Sequence, residues 1–374
     1  MKRIAILLCT LAALGVSLAG AQGKFSGYMF GDYFYNVAKD TAFKNANLPN
    51  SAVPGPKDLN SFIFRRIYFT YDNDISEQFT TRFRLEADGS ALTANGKFTT
   101  FVKDAYLTWK NIFSGSNLTF GIQPTPVYEI SEAAWGYRSL DKTIMDLRGI
   151  IPSRYLGLGL RGKIDDGGVF NYWAIVSDNT TSTSVPPPSD AFNGKFKRYT
   201  LLVHLKPVKN LQLTLTGDYL AAPSINDPLS TSAPKATIPN GVTTLAGFVG
   251  YAEPDAFSFG AEGFLATRAN GQVDPSATTG ARTGLSAFGL SFFGWYNFSP
   301  TLAVVGRYDT FDPNNNSGVK GDSRNYIIAS LVYKPTKNVS IMPNVQIETY
   351  ESIPNGPSFD SSITGRLTFY YIFL

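Results

Sequence analysis

Arginines and carboxylates alternate with apolar side chains along several stretches of this sequence, most cleanly in Arg82-Phe83-Arg84-Leu85-Glu86-Ala87-Asp88. Successive side chains of a strand point to opposite faces, so each polar group in such a run lies on one face and each apolar group on the other. The chemistry this spacing supports is electrostatic: a row of fixed charges facing water, beside which ions and small solutes are attracted or repelled. Covalent chemistry has far less to work with. The one histidine, His204, and the one cysteine, Cys9, which lies in a leader expected to be removed, cannot make a zinc centre or a histidine-based triad. No glycine-rich phosphate cradle is present, no cofactor is expected, and the chain is read as a non-enzyme.

Composition narrows the class further. Hydrophobic residues make up 43% of the 374 and charged ones only 17%, which excludes a disordered or coiled-coil chain. A net charge of +4 is too small to indicate a nucleic-acid partner. Lys2 and Arg3 precede an apolar run from Ile4 to Leu18, and Ala19-Gly20-Ala21 supplies small residues, so residues 1–21 read as a signal peptide cut after Ala21. Residues 22–374 then form one domain.

No later stretch approaches eighteen continuous apolar residues, which excludes a helical membrane protein. Runs of period-two alternation recur instead, as in Gln212-Leu213-Thr214-Leu215-Thr216-Gly217-Asp218 and Asn344-Val345-Gln346-Ile347-Glu348. Short connections fall at 73–76, 111–116, 165–168, 206–210, 252–255, 297–300 and 334–337. They alternate with longer ones near 38–60, 90–96, 124–153, 179–195, 222–240, 268–282, 312–321 and 351–360. Such sorting fits one rim of tight hairpins and one rim of longer loops, hence an all-β, closed antiparallel transmembrane barrel of 16 strands in an outer membrane. Ser362 to Leu374 reads as the closing strand, paired with a first strand at Lys24 to Val37. Trp109, Trp295, Tyr296 and Tyr333 stand near strand ends, at headgroup level.

Two stretches carry a family resemblance. One is Phe64-Arg65-Arg66-Ile67-Tyr68-Phe69 with Phe83-Arg84-Leu85-Glu86 and Val102-Lys103-Asp104-Ala105-Tyr106-Leu107. The other is Gly121-Ile122-Gln123, leading through Pro124 and Pro126 to Pro152-Ser153-Arg154-Tyr155-Leu156-Gly157. With these the chain resembles the phosphate-selective porins O and P. The resemblance implies an inward-folded third loop and a homotrimer with one diffusion channel per subunit. Two features depart from that family: the chain ends on Leu374 rather than an aromatic, and the third loop has no dense lysine-arginine array, which weakens a specific claim for phosphate.

Parity places Arg66, Arg82, Arg84, Glu86, Asp104, Arg161, Arg198, Asp218, Arg307, Asp309 and Arg366 on the wet inner wall, because charge in hydrocarbon costs several kcal/mol near the midplane. Arg65 and Lys103 fall on the lipid parity and require either snorkelling or a local bulge. The third loop is expected to fold into the lumen and present Glu129, Glu132, Arg138, Asp141, Lys142 and Asp146 to the passage. The excess of wall arginines predicts passive diffusion of small hydrophilic solutes and ions with weak anion preference. A substrate-selective channel for phosphate or a sugar, with Trp135, Tyr137 and Trp173 as stacking surfaces, and a closed adhesive barrel are the alternatives. Outer-membrane lipid and the barrel-assembly machinery are the expected partners. Small residues such as Gly157, Gly159, Ala261 and Gly263 are expected on the outer wall, where subunits could pack closely.

Overall fold

The computed structural model describes residues 23–40, 52–53, 55–178, 196–274, 276–356 and 358–374. The expected signal peptide, most of the first long connection and the 179–195 connection lie outside the described residues.

In chain order the elements are β1 (Lys24–Ala38), β2 (Asn60–Asp74), β3 (Phe79–Leu92), β4 (Phe98–Phe113), β5 (Ser116–Pro124), α1 (Pro126–Trp135), α2 (Ile144–Leu147), β6 (Arg154–Lys163), β7 (Phe170–Asp178), β8 (Lys197–Leu205), β9 (Leu211–Leu220), β10 (Ile225–Asn226), β11 (Thr237–Ile238), β12 (Val242–Glu253), β13 (Phe257–Val273), β14 (Arg282–Ser299), β15 (Leu302–Asp312), β16 (Arg324–Thr336), β17 (Val339–Tyr350) and β18 (Ser362–Ile372). All but β10 and β11 join one closed antiparallel barrel of 16 strands, each beside its neighbour in sequence. The two-residue strands β10 and β11 pair with each other inside the 222–240 connection. Closure occurs where expected, with Tyr33 opposite Leu367 and Phe34 opposite Arg366. A closed sheet satisfies every ladder group and leaves no edge.

The wall has two chemically distinct faces. One carries buried polar residues such as Asp32, Glu86, Asp104, Asp218, Glu262, Asp309 and Gln346; the other carries exposed Phe62, Phe120, Leu215, Leu245, Phe292 and Phe369. Alternation alone produces this separation along most strands. Two bulges interrupt it. Phe30 pairs with Arg66 and Gly31 with Phe64, so Arg65 is an extra residue, and Arg84 pairs with Asp104 while Leu85 pairs with Val102, so Lys103 is another. Each bulge puts two consecutive charged residues on the polar face, which settles the open choice in favour of a register shift over snorkelling.

Gly157 and Gly159 correct an expectation. They share the parity of Tyr155 and Arg161, and a Cβ on Gly159 would meet the Gln123 side chain. They therefore belong to the polar face and make room for Gln123 there, while Ala261 and Gly263, beside buried Glu262, do lie on the apolar face.

The connection between β5 and β6 carries both helices. Pro126 opens α1, where its missing N–H costs nothing, and Gly136 closes it in the left-handed region with φ 69°, its N–H donating to Glu132 O. Val127, Tyr128, Ile130 and Trp135 on α1, with Leu140, Ile144 and Met145 beyond it, are buried against Ala246, Phe248, Phe264, Phe293 and Phe311 of the wall. At ten residues α1 makes about three turns.

Candidate functional site: a charged wall and the segment packed against it

Along β18, β1, β2, β3, β4 and the start of β6 the polar face holds a chain of ion pairs in which one carboxylate serves two cations. Asp32 on β1 lies 3.4 Å from Arg65 and 3.6 Å from Arg366. Glu86 on β3 lies 2.6 Å from Arg66 and 3.0 Å from Lys103. Asp104 on β4 lies 3.3 Å from Arg84 and also accepts from Arg154. The three carboxylates are almost completely buried. Six cations face these three anions, with Asp141 of the packed segment a fourth at 3.9 Å from Arg65, so this wall stays positive. Arg82 adds a bidentate pair with Asp72 nearer the short-turn rim, at 2.6 and 2.9 Å.

On the strands across the barrel several carboxylates hold one close cation each. Arg198 binds Asp218, which also accepts from Thr200, and Arg307 binds Asp309. Arg148, just after α2, pairs with Glu348 of β17 at 2.9 Å, both side chains fully buried. Glu262 of β13 accepts the Ile144 N–H at 3.1 Å.

Residues 139–142 tie the two sides together. Arg65 donates to Ser139 O at 2.7 Å and Leu140 O at 2.9 Å. Tyr326 of β16 donates to Asp141 at 2.7 Å, Gln346 of β17 to Leu140 O, and Arg307 of β15 to Lys142 O. Burial works against the charge on Asp141, but Arg65, Arg307 and Arg366 outweigh it and hold its carboxyl below the usual range.

A cavity of about 730 Å³ lies beside α1, lined by Arg82, Arg84, Arg138, Arg154 and Lys334, by Glu129 and Glu132, and by the aromatics Tyr28, Phe30, Tyr128, Tyr137, Trp295 and Tyr370. Five cations face two carboxylates there. The structure thus brings five of the expected site residues together, namely Arg82, Arg84, Glu129, Glu132 and Arg138. Arg66, Glu86, Asp104, Arg198, Arg307 and Arg366 stand in the ion pairs behind or beside it. Arg161 pairs with Glu129 at 2.9 Å, half-exposed, and lines a smaller cavity with His204 and Trp173. Lys142 pairs with Asp146, which also meets Arg138. Two expectations are corrected. Asp141 turns towards Tyr326 and Arg65 instead of facing open space, and Trp135 is fully buried, its indole N–H donating to Asp141 O, so it anchors the segment rather than offering a stacking surface. Arg154, Arg148, Lys334 and Glu262 are site residues that sequence reasoning missed. Arg154 was within reach, because it follows the Pro152-Ser153 that ends the long loop; the others depend on which wall the segment meets.

Among the described residues no group of three or more His, Cys, Asp or Glu is placed to hold a metal ion.

No family model matches this chain, and no curated protein does. Solved structures do. The chain is similar to the outer membrane channel DcaP of Acinetobacter baumannii, with 12% identity and a TM-score of 0.64 over 95% of this chain and 98% of that one. It is similar to an anion-selective porin from Comamonas acidovorans, with 10% identity and a TM-score of 0.63 over 94% of this chain and all of that one. OmpT, an outer membrane protein of Vibrio cholerae solved in a trimer form, matches with 12% identity and a TM-score of 0.56 over 94% of this chain and 99% of that one. Sequence identity this low carries the fold alone, a closed antiparallel barrel that the chain shares with these proteins.

Proposed function

We propose that the protein is a passive diffusion channel of the bacterial outer membrane for small hydrophilic solutes and ions, with weak anion preference. The observation that carries this reading is the row of carboxylates each shared by two cations beside the cavity, since an uncompensated positive wall raises the local concentration of anions and the barrier to cations. The polar face surrounds the lumen, and the 124–153 connection folds into it as the constriction. Its hydrogen bonds to β2 on one side and to β15, β16 and β17 on the other support that placement, because a segment outside the barrel cannot reach both. Glu129, Glu132 and Arg138 then line the narrowed path opposite Arg82 and Arg84.

Residues 1–21 act as the export signal, and residues 22–374 are the barrel that the assembly machinery inserts into outer-membrane lipid. The trimer form of OmpT supports a homotrimer. The resemblance to phosphate-selective porins rests on the two sequence stretches and favours anions without favouring phosphate among them.

The test is the reversal potential of the purified protein in planar bilayers under a potassium chloride gradient. Chloride should carry the larger share of the current. A clear potassium preference ends the anion reading and keeps the pore; absence of conductance ends the pore reading and leaves the closed, adhesive barrel.

A further inference from the structure

We propose that the cavity beside α1 is a binding site for organic anions with a flat apolar body, of which an aromatic carboxylate is the simplest. The proposal rests on the channel reading for how the solute arrives, and it narrows that reading to a solute class.

Three observations converge. The cavity, at about 730 Å³, has the size of sites that enclose small organic molecules, whereas an inorganic anion would occupy a small part of it. Its charge is divided between two arcs of wall. On the β3 and β6 side Arg84 and Arg154 share the single carboxylate of Asp104 within ion-pair distance, and Glu132 of the same cavity pairs with Arg138 instead, so the two arginines there have one carboxylate between them. On the β16 side the Lys334 ammonium meets Asn297 Oδ1 at 3.5 Å and the Tyr137 ring at 5.9 Å from its centroid, with no carboxylate within ion-pair distance among the described residues. Finally, aromatic rings flank the Lys334 strand on both sides. Trp295 of β14, Tyr370 of β18 and Tyr137 after α1 line the same cavity. A site for a small hydrated anion gains nothing from these rings, while a planar solute stacks on them and places its carboxylate at either cationic arc.

The experiment is calorimetric titration of the refolded, detergent-solubilised protein with benzoate, acetate, benzylamine and inorganic phosphate, repeated as current block in bilayers. Benzoate should bind about tenfold more tightly than acetate, and benzylamine should not bind. Lys334→Gln should weaken benzoate and acetate by similar factors. Trp295→Leu should remove most of the preference for benzoate over acetate, and Trp295→Phe should keep it, which separates a stacking role from damage to the fold. Equal binding of benzoate and acetate, tighter binding of phosphate than of benzoate, or an unchanged preference in Trp295→Leu would each overturn the proposal. The two readings fail separately. A barrel that binds benzoate without conducting overturns the channel and keeps the site, while an anion-preferring pore indifferent to the ring does the reverse.

Discussion

The two sides of the barrel use the same residue types to opposite ends. From β18 round to β4 and β6, buried carboxylates each hold two cations, the charge is not balanced, and the side chains reach the edge of a cavity. From β13 to β17 the Arg148–Glu348 and Arg307–Asp309 pairs are sealed, and the surrounding surface is an apolar core shared with α1 and α2. One side spends its charge on a field, the other on holding a segment in place. Like charges kept close by a shared anion are tolerable only where the neighbouring water screens them, and a one-to-one pair is tolerable in a dry core only when both partners stay.

The sharpest way to break this contrast is to unseal a pair on the far side. Arg148→Leu removes the 2.9 Å ion pair from the fully buried Glu348 carboxylate and should cost about 3–5 kcal/mol. Denaturant unfolding of the folded barrel would read the loss, and protease cleavage within 126–148 should accelerate. An unchanged midpoint and cleavage rate would mean that this pair does not anchor the segment.

On the other side, replacing Arg82 and Arg84 together by glutamine should cost less stability than Arg148→Leu, because the Arg82–Asp72 pair is partly exposed and buried Asp104 keeps Arg154, while reducing anion permeability. Reversal potentials in the same chloride gradient measure it. Unchanged selectivity would remove these two arginines from the solute path.

The smallest effect joins the two sides through Asp141. Its carboxyl sits below the usual range, so its contribution is fully present above the ordinary aspartate pKa near ~3.9 and is lost only as pH falls through the lowered value. Proteolytic susceptibility of 126–148 should therefore be flat from neutral pH down to about 5 and should rise only in stronger acid, where the link to Arg65 and Arg307 weakens. A rise already near neutral pH would place the controlling group elsewhere.

Much of the fold was legible in the sequence. The alternation in 82–88 and 344–348, together with connections that sort into short and long, gave the number of strands, their antiparallel order and the closing pair. Adjacent charges were the visible trace of the two bulges: Arg65-Arg66 and Lys103-Asp104 cannot both face water in a regular strand, yet parity alone offers two remedies for that conflict. The sites were less legible. Parity grouped Arg66, Glu86, Asp104 and Arg198 on one face without giving their partners, and the third-loop reading made Asp141 and Trp135 channel residues when both are spent on fixing the segment.

The sequence by itself determined which side chains share a face and how many strands the wall needs, because a strand's two-residue period and the chemistry of its turns are local properties. Only the tertiary structure decided that Asp104 serves Arg84 and Arg154, that Arg148 finds Glu348, and that Lys334 stands among rings. Those contacts join residues far apart in the chain, and they depend on the bulged register and on where the β5 to β6 segment lands, neither of which any local pattern encodes.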